Sequence, residues 1–242
     1  MKIIVNGAAG HMGRILCGII EKADDLELAA RVDFSGADGT YRNLSDFTGE
    51  ADMVIDFSNH LGTNALVEYC VARQLPVVVC TTGQTPEELA AIEAASQQIP
   101  VFRSANMSVG VALLAKLVQE VAEKFGGCDI EIVETHHNRK VDAPSGTAIL
   151  LADAVRAGRP GLHDHVGRAG HAKREPDEIG IHAIRRGNVV GTHEVIFGTN
   201  NQTITLTHEA HDRALFADGA VDAARFLAGK PAGMYNMNDL LK

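Results

Sequence analysis

The sequence predicts an α/β fold: a doubly wound parallel sheet, followed by a second α+β domain with a mainly antiparallel sheet. Two observations predict it. Short apolar runs alternate with helical patterns over residues 2–103, as they do when helices connect parallel strands. After residue 178, strand-like runs follow one another directly, separated by turn residues at 186–188 and 198–201, which is typical of antiparallel hairpins.

Strands and helices are predicted to alternate through the first half. The predicted strands are residues 2–6, 26–32, 51–57, 76–80 and 100–103, and the predicted helices are residues 14–22, 61–73 and 85–97. The strand from Pro76 to Cys80 is almost entirely apolar, as a central parallel strand should be. The last helix starts well, with Thr85 as its N-cap and proline and acidic residues in its first turn.

A glycine turn, Gly7-Ala-Ala-Gly-His-Met-Gly13, joins the first predicted strand to the first helix. Glycines at such a turn let the backbone approach a pyrophosphate, and the helix start supplies amide donors. Asp33 ends the next strand, where a carboxylate can accept hydrogen bonds from ribose hydroxyls. The spacing is GxxGxxG rather than GxGxxG, and glycines alone would indicate only a tight turn. Strand, turn, helix and acidic residue together predict a Rossmann-like dinucleotide-binding domain.

Small or polar residues end the later strands of this half. They are Asp56-Phe-Ser58, Cys80-Thr-Thr-Gly83 and Ser104-Ala-Asn-Met107. Each could be an ordinary turn. Because the carboxyl ends of parallel strands meet at one edge of a sheet, they are also candidate walls for ribose and nicotinamide.

The second half is predicted to hold helices over 108–125, 145–157 and 213–228, and strands over 129–135, 179–185, 189–197 and 202–208. Residues 158–176 show no periodicity and are predicted to form a long mobile loop. The histidines in that loop, at positions 163, 165 and 171, are interpreted as solvated rather than metal-binding, so no metal site is predicted. We predict a dinucleotide-binding domain of residues 1–107, completed by 216–242, and a second domain of residues 108–215.

The stretch from Glu134 to Thr147 gathers adjacent histidines, an arginine, a lysine and a Ser-Gly-Thr helix start. Titratable and basic groups on a loop between two rigid elements indicate a site for an anionic ligand with proton-transfer chemistry. The alternative is a structural hydrogen-bond network at a helix start.

Composition narrows the class of partner. The formal net charge of −9 argues against nucleic acid and against an anionic membrane surface. No apolar run approaches the ~20 residues that cross a bilayer, and the apolar start is too short for a signal peptide. The four cysteines are widely spaced and form no CxxC pair, which predicts buried, reduced thiols in a cytoplasmic protein.

These motifs together resemble the 4-hydroxy-tetrahydrodipicolinate reductase (dihydrodipicolinate reductase) family of diaminopimelate and lysine biosynthesis, over essentially the whole chain. The most specific segment is His136-His-Asn-Arg-Lys-Val-Asp-Ala-Pro-Ser-Gly-Thr-Ala148. The glycine turn, the three strand ends, Ser108-Val-Gly110, Gly187-Asn-Val-Val-Gly-Thr-His-Glu194 and Phe216-Ala-Asp-Gly-Ala220 also look like family segments.

The resemblance implies an oxidoreductase that transfers hydride from NADH or NADPH to an unsaturated cyclic dicarboxylate, with loss of water, giving tetrahydrodipicolinate. It implies a two-domain subunit that closes on its ligands, and a homotetramer built through the C-terminal sheets. His136 looks like the general acid/base and Lys140 like the proton donor. His137, Gly146 and Thr147 look like binders of the substrate carboxylates. The cofactor wall looks like Gly7, Ala8, Ala9, Gly10, His11, Met12, Asp33, Cys80, Thr81, Thr82, Ser104, Ala105, Asn106 and Met107.

The residue types suit this chemistry. Hydride addition to a conjugated imine leaves electron density that a proton must quench, and histidine can supply it near neutral pH. A dianionic substrate calls for a lysine charge and for the amide and hydroxyl donors of a Gly-Thr helix start.

The chain departs from the family pattern at two positions: many relatives have arginine in place of His11, and members that favour the phosphorylated cofactor have arginine in place of Phe34. Asp33 would repel a ribose phosphate, and no neighbouring guanidinium is evident in the sequence, so NADH is expected to be preferred, with NADPH possible. Two rival functions stay open. One is another amino-acid-pathway dehydrogenase of the same layout, which the histidine-lysine and Ser-Gly-Thr set disfavours. The other is a non-catalytic NAD-binding sensor, which the intact His136 and Lys140 disfavour.

Overall fold

The structure is a computed structural model that describes residues 1–37 and 39–242. Its main elements, in chain order, are β1 (Lys2–Asn6), α1 (His11–Ile20), β2 (Glu27–Val32), β3 (Met53–Asp56), α2 (Thr63–Ala72), β4 (Val77–Val79), α3 (Pro86–Ser96), β5 (Pro100–Arg103), α4 (Val109–Lys124), β6 (Asp129–His136), α5 (Gly146–Gly158), β7 (His163–Val166), β8 (Glu178–Arg185), β9 (Gly191–Gly198), β10 (Thr203–Ala210), α6 (Ala214–Leu227), β11 (Gly233–Tyr235) and α7 (Met237–Leu240).

The chain forms two compact units. Unit 1 comprises Met1–Ser108 and Ala214–Lys242, and unit 2 comprises Val109–Arg213. None of the helices in the described ranges is long and apolar enough to cross a membrane. All four cysteines are buried and free of disulfide bonds.

Unit 1 is built on a six-stranded sheet in the order β11-β5-β4-β3-β1-β2. All its neighbouring strands are parallel, which confirms the predicted Rossmann-like sheet. The central strands β3 and β4 are buried at every position, as their apolar sequences require. α2 and α3 bury their apolar side chains against the sheet, and α1 and α6 pack on one another and on the strands.

The sixth strand, β11, has no counterpart in the sequence prediction. It is three residues long and half-buried, so it shows no apolar run. It is a strand because it pairs with β5, where Met234 lies opposite Val101. The two residues are far apart in the sequence, so this pairing could not be read from a local pattern. The predicted start of α3 is confirmed: the Thr85 side chain accepts from the Glu88 amide, and the Glu88 carboxylate accepts from the Thr85 amide.

Unit 2 is built on a five-stranded sheet in the order β10-β9-β6-β8-β7, with α4 and α5 packed together. Strand β6 is central, and its residues alternate between buried and less buried positions. Its buried isoleucines meet apolar side chains of both helices in one core, which includes Val118, Leu151, Val155, Ile130, Ile132 and Phe197.

This sheet is mixed rather than mainly antiparallel. The pairs β9–β10 and β6–β9 are antiparallel, whereas β6–β8 and β7–β8 are parallel. The predicted hairpin at 198–201 is confirmed. The prediction of a hairpin at 186–188 is wrong, because β6 lies between β8 and β9 in the sheet. The segment 186–189 instead passes the end of β6: the Arg186 amide donates to the His136 carbonyl, and the His137 amide donates to the Val189 carbonyl.

The prediction of a structureless loop over 158–176 is wrong in part, because β7 lies within it. Three of the four β7 residues are exposed, so the strand has no apolar periodicity to reveal it. Backbone pairing with β8 fixes the strand. Ion pairs hold the segment after β7 against the sheet. Arg168 pairs with Glu178, and Arg174 pairs with Glu131 at 3.1 Å.

Candidate functional site

The glycine turn between β1 and α1 is shaped for close backbone approach. Gly7 has a φ of +82°, and a Cβ there would lie 2.4 Å from the Phe57 carbonyl oxygen. A Cβ on Gly13 would lie 2.0 Å from the Gly7 carbonyl oxygen, so α1 can start this close to the turn only with glycine. Gly10 is the N-cap and offers no side-chain cap, and the first turn of α1 carries no acidic residue.

The other predicted residues of this turn are placed around it. Ala8 is buried, Ala9 and Met12 are half-buried, and His11 is exposed in the first turn of α1. A short helix start with backbone amides and no side-chain cap suits a bound anion such as a pyrophosphate.

Asp33 lies at the end of β2 with its carboxylate turned toward the glycine turn. One oxygen accepts from the Ala9 amide at 3.1 Å, and the other accepts from the Ser35 amide at 3.0 Å and the Ser35 hydroxyl at 2.5 Å. Burial would raise the pKa of Asp33, but the hydrogen bonds from Ser35 and Ala9, together with the charge of Arg14, lower it. The carboxylate is therefore ionised and can accept further bonds.

A cavity of about 940 Å³ lies beside this carboxylate. Gly7, Gly10, Asp33, Phe34 and Arg42 are among the residues that line it. The sequence showed no guanidinium next to Asp33, whereas the structure places Arg42 in the lining of the same cavity. Arg42 lies across the turn that follows β2, because a Cβ on Gly36 would lie 2.6 Å from its Nε. The intervening residues of that turn hid this neighbour in the sequence.

The later strand ends are only partly gathered at this cavity. Phe57 and Ser58 line it, whereas residues 80–82 and 104–107 lie outside its lining. Asp56 is buried and accepts from Asn6 at 2.8 Å and from Ser58 at 2.6 Å, and its burial raises its pKa. It therefore holds the β3 turn in place.

Residues 80–82 and 104–107 follow β4 and β5, at the carboxyl edge of the sheet. Cys80 is buried, which raises the pKa of its thiol far above the usual value, while Thr82 is exposed. The Ser104 hydroxyl donates to the Asn106 carbonyl at 2.7 Å. Ala105 is exposed and Met107 is buried against Gly219 of α6, where a Cβ would lie 1.7 Å from the Met107 carbonyl oxygen.

In unit 2, His136 ends β6 and is 8% exposed. Its Nδ1 lies 2.6 Å from a carboxylate oxygen of Glu134, a residue with no exposed surface. Gly191 approaches the other ring nitrogen so closely that a Cβ there would lie 3.0 Å from Nε2. A side chain at position 191 would therefore crowd the Nε2 side of the ring.

Two residues of this network were not predicted from the sequence. Arg185 donates to both oxygens of Glu134, at 2.7 Å each. His193 lies with its ring centroid 5.1 Å from that of His136, and its Nε2 is 3.1 Å from the Ser145 hydroxyl. Burial, followed by the charge of His136, lowers the pKa of His193 to about 4, so its ring is neutral at pH 7. The sequence signal was that His193 lies inside the family-like segment of residues 187–194 and that Arg185 lies just before it.

The remaining predicted residues lie on the loop between β6 and α5. Lys140 forms an ion pair with Asp142 at 2.9 Å, which lowers the pKa of Asp142. His137 Nε2 lies 3.3 Å from the Arg213 guanidinium, and partial desolvation and then nearby cations lower its pKa. Gly146 and Thr147 form the first turn of α5, behind the N-cap Ser145, whose hydroxyl accepts from the Ala148 amide at 3.2 Å.

Among the described residues, one group of potential metal ligands lies close enough together to hold an ion. It consists of the exposed residues His163, Glu175 and Asp177, whose ligand atoms lie within 4.8 Å of one another. The His163 ring nitrogens lie 3.8 Å from the Glu175 carboxylate and 3.7 Å from the Asp177 carboxylate. Strand β7 brings them together, which spacing along the chain did not reveal. The interpretation that the histidines of this segment do not bind a metal stays a prediction.

Comparison with known proteins decides the family. Residues 1–107 match the family described as dihydrodipicolinate reductase, N-terminus, and residues 110–241 match dihydrodipicolinate reductase, C-terminus. This chain belongs to the dihydrodipicolinate reductase family. Members of this family bind a nicotinamide cofactor in a Rossmann-like domain.

Individual relatives agree along the whole length. The chain is 44% identical to 4-hydroxy-tetrahydrodipicolinate reductase of Clostridium tetani, over 100% of this chain and 97% of the relative. It is 45% identical to the enzyme of that name from Caldanaerobacter subterraneus, over 100% and 98%. A dipicolinate-bound dihydrodipicolinate reductase from Paenisporosarcina sp. TG-14 shares the fold, with a TM-score of 0.81, 24% identity and 98% of each chain covered. An aspartate dehydrogenase from Thermotoga maritima has a TM-score of 0.54 at 11% identity, covering 96% of this chain and 98% of that one.

Proposed function

We propose that this chain reduces 4-hydroxy-tetrahydrodipicolinate to tetrahydrodipicolinate with a reduced nicotinamide cofactor, in diaminopimelate and lysine biosynthesis. The observation that carries the proposal is the end of β6 and the segment that follows it. His136 is buried there with its Nδ1 next to a carboxylate, and the histidine-lysine and Ser-Gly-Thr residues follow within the same segment. The reaction consumes the hydroxylated substrate, NAD(P)H and a proton, and yields tetrahydrodipicolinate, NAD(P)⁺ and water.

We propose that unit 1 holds the cofactor. The fit is supported by Gly7 and Gly13, which have no room for a Cβ atom, by the helix start without a side-chain cap, and by the ionised Asp33 beside the cavity. Gly7 to Met12 would hold the pyrophosphate and Asp33 the ribose. Cys80 to Thr82 and Ser104 to Met107 would face the nicotinamide end. The bound cofactor supplies the hydride.

We propose that unit 2 holds the dicarboxylate. Gly146 and Thr147 offer the amides and hydroxyl of the α5 start to one carboxylate, where the helix dipole favours negative charge. His137 and the ammonium of Lys140 would contact the substrate as well. Lys140 is paired with the half-exposed Asp142, so it can exchange that partner for a substrate carboxylate or proton acceptor.

Proton delivery is proposed to run through His136 and Lys140. Nδ1 of His136 is hydrogen-bonded to the Glu134 carboxylate, so Nε2 is the atom that can give a proton to the substrate or take one from it. The proton ends on the substrate carbon or nitrogen that gains electron density when hydride arrives. Lys140, an ammonium with three donors, would protonate the departing hydroxyl or the reduced ring.

A coupled assay tests this function. The aldol product of pyruvate and aspartate semialdehyde is generated in place, and oxidation of NADH and NADPH is followed separately. We expect both cofactors to be oxidised only when the aldol product is present. Cofactor binding without turnover would favour the rival non-catalytic NAD sensor. Turnover with a different amino-acid substrate alone would favour another dehydrogenase of this layout.

For the choice of cofactor we propose NADH first and NADPH second. Asp33 is ionised and close to the ribose position, which disfavours a 2′-phosphate. Arg42 lines the same cavity and supplies a guanidinium that can donate hydrogen bonds to that phosphate, so NADPH is also used. A higher kcat/KM with NADPH than with NADH would contradict this order.

We further propose a cytoplasmic homotetramer that binds neither nucleic acid nor membrane. Strand β10 has mostly exposed side chains, including that of Ile204, which is consistent with contact between copies of the chain. Light scattering coupled to gel filtration measures the mass, and a monomeric mass at assay concentration would contradict the tetramer.

A further inference from the structure

Strand β6 carries a charge where its pattern calls for an apolar residue. Its buried positions are Ile130, Ile132, Glu134 and His136. Burying a carboxylate costs free energy unless it is fully hydrogen-bonded and balanced by charge. Neither residue 134 nor its carboxylate is assigned a role by the motif that begins at His136.

Four donors surround the Glu134 carboxylate. Arg185 gives two N–H bonds at 2.7 Å, the Ser145 amide gives one at 3.1 Å, and His136 Nδ1 lies at 2.6 Å. Burial would raise the pKa of Glu134, but the bonds from Arg185, His136 and Ser145 together lower it. An ionised carboxylate can only accept hydrogen bonds, so the proton must reside on Nδ1 of His136.

The neighbouring strands preserve the opposite nitrogen. β8 brings Arg185 beside His136 in register, and β9 brings Gly191 next to the ring. The Nδ1 side of the His136 ring is therefore held by the Glu134 carboxylate. On the Nε2 side, Gly191 leaves space that a side chain at position 191 would occupy. Three strands thus converge on one proton-bearing ring.

We propose that Glu134, neutralised by Arg185, is a positioning residue that fixes the tautomer and orientation of His136 so that Nε2 exchanges the proton. This inference rests on the proposed function for the role of His136. It does not require Glu134 to touch the substrate.

The substitution Glu134→Gln tests the tautomer directly. A glutamine keeps one acceptor oxygen and replaces the other with an NH₂ group. The Ser145 amide and Arg185 Nη2 both donate to the same carboxylate oxygen and cannot reverse their polarity, so the glutamine oxygen stays on their side. The NH₂ group then faces His136 Nδ1, which can change its tautomer, and Arg185 Nη1. His136 then gives up its Nδ1 proton and carries a proton on Nε2 instead.

A matched control exists on the same strand. Glu131 also accepts from a histidine, with His182 Nε2 at 2.8 Å, and from an arginine, with Arg174 Nε at 3.1 Å. Glu131→Gln therefore removes a carboxylate with similar partners outside the proposed site. The full-length chain carries each substitution.

The measurements are ¹⁵N NMR of the His136 ring, steady-state kinetics and NADH binding by fluorescence. For Glu134→Gln we expect the Nε2–H form of His136, a kcat about 100-fold lower, and NADH affinity unchanged. For Glu131→Gln we expect the wild-type tautomer and kcat. An unchanged His136 tautomer, or equal losses of kcat in both variants, would overturn the inference.

If Glu134→Gln fails to fold, the double variant Glu134→Gln with Arg185→Met removes the unpaired guanidinium and is measured in the same way. The ring spectrum does not depend on turnover. A wild-type protein with the Nδ1–H form but no reductase activity would refute the proposed function while leaving the Glu134 geometry intact.

Discussion

Asp33 and Glu134 are both buried carboxylates that end up ionised, but they are stabilised differently. Burial opposes ionisation in both cases. Asp33 is held by the amide of Ala9 and by the amide and hydroxyl of Ser35, all neutral donors. Glu134 is held by a guanidinium, an imidazole and an amide.

The difference follows from depth and task. Asp33 is 8% exposed and borders a cavity, so its remaining charge is available to a ligand. Glu134 has no exposed surface, and without Arg185 its charge would be uncompensated in a low-dielectric core. The site in unit 1 is therefore formed mainly by backbone groups. The site in unit 2 is formed mainly by buried side chains that carry charge.

The sharpest test of the charged site is removal of its proton carriers. His136→Ala and Lys140→Ala are each expected to lower kcat by about 10²- to 10⁴-fold, because the proton that follows hydride loses its donor. NADH affinity, measured by fluorescence, should stay unchanged. Arg139→Ala is the control, since Arg139 is an exposed cation beside Lys140 that bonds to Asn188, and it should keep kcat. Turnover near wild type in either test variant would remove the assigned role.

The backbone-built site should be broken by a single methyl group. Gly13→Ala places a Cβ 2.0 Å from the Gly7 carbonyl oxygen, so we expect a loss of about 1–3 kcal/mol in the free energy of unfolding and much weaker NADH binding. Gly18→Ala lies in the same helix with open space around it and should stabilise by up to about 1 kcal/mol. Urea unfolding measures both. Equal stability of the two variants would show that the close approach at Gly13 is not required.

The buried charge network should also make unit 2 sensitive to acid. The pKa of His193 is about 4 in the folded state, against ~6.5 when unfolded. The unfolded chain therefore binds a proton first as pH falls. The stability from the neutral ring is present above pH ~6.5 and is lost down to pH ~4, where the folded ring also protonates.

Between pH 7 and pH 5 this histidine should account for about 2 kcal/mol of lost stability. His193→Gln removes that contribution, so its free energy of unfolding should fall less over this range than that of the wild type. His171→Gln, at an exposed position, is the control and should follow the wild type. Parallel pH curves for His193→Gln and wild type would contradict the prediction. Urea titrations at the two pH values provide the measurement.

The smallest expected effect concerns Arg42 at the edge of the unit 1 cavity. Arg42→Ala should weaken NADPH binding by about tenfold and leave NADH binding within about twofold, because only NADPH carries the 2′-phosphate. Arg42→Lys should retain part of the NADPH affinity. Equal weakening of both cofactors would show instead that Arg42 contacts a part that they share. Fluorescence titration separates binding from turnover.

Local patterns in the chain were enough to predict the parallel sheet, the glycine turn with Asp33, and the loop that carries His136 and Lys140. Each is written in consecutive residues: apolar runs, glycine spacing and a helix start. Elements without such a pattern were missed. Strands β7 and β11 are exposed or half-buried and exist through pairing with β8 and β5.

The sequence by itself determined which residue types could perform the chemistry and which loop carries them. Only the tertiary structure decided their partners. Glu134 meets Arg185 because β6 pairs with β8, and Gly191 reaches His136 because β6 also pairs with β9. Likewise the tertiary structure places Arg42 and Asp33 in the lining of one cavity. Spacing along a chain sets local conformation, but strand order is fixed by the burial of whole faces, which no short motif records.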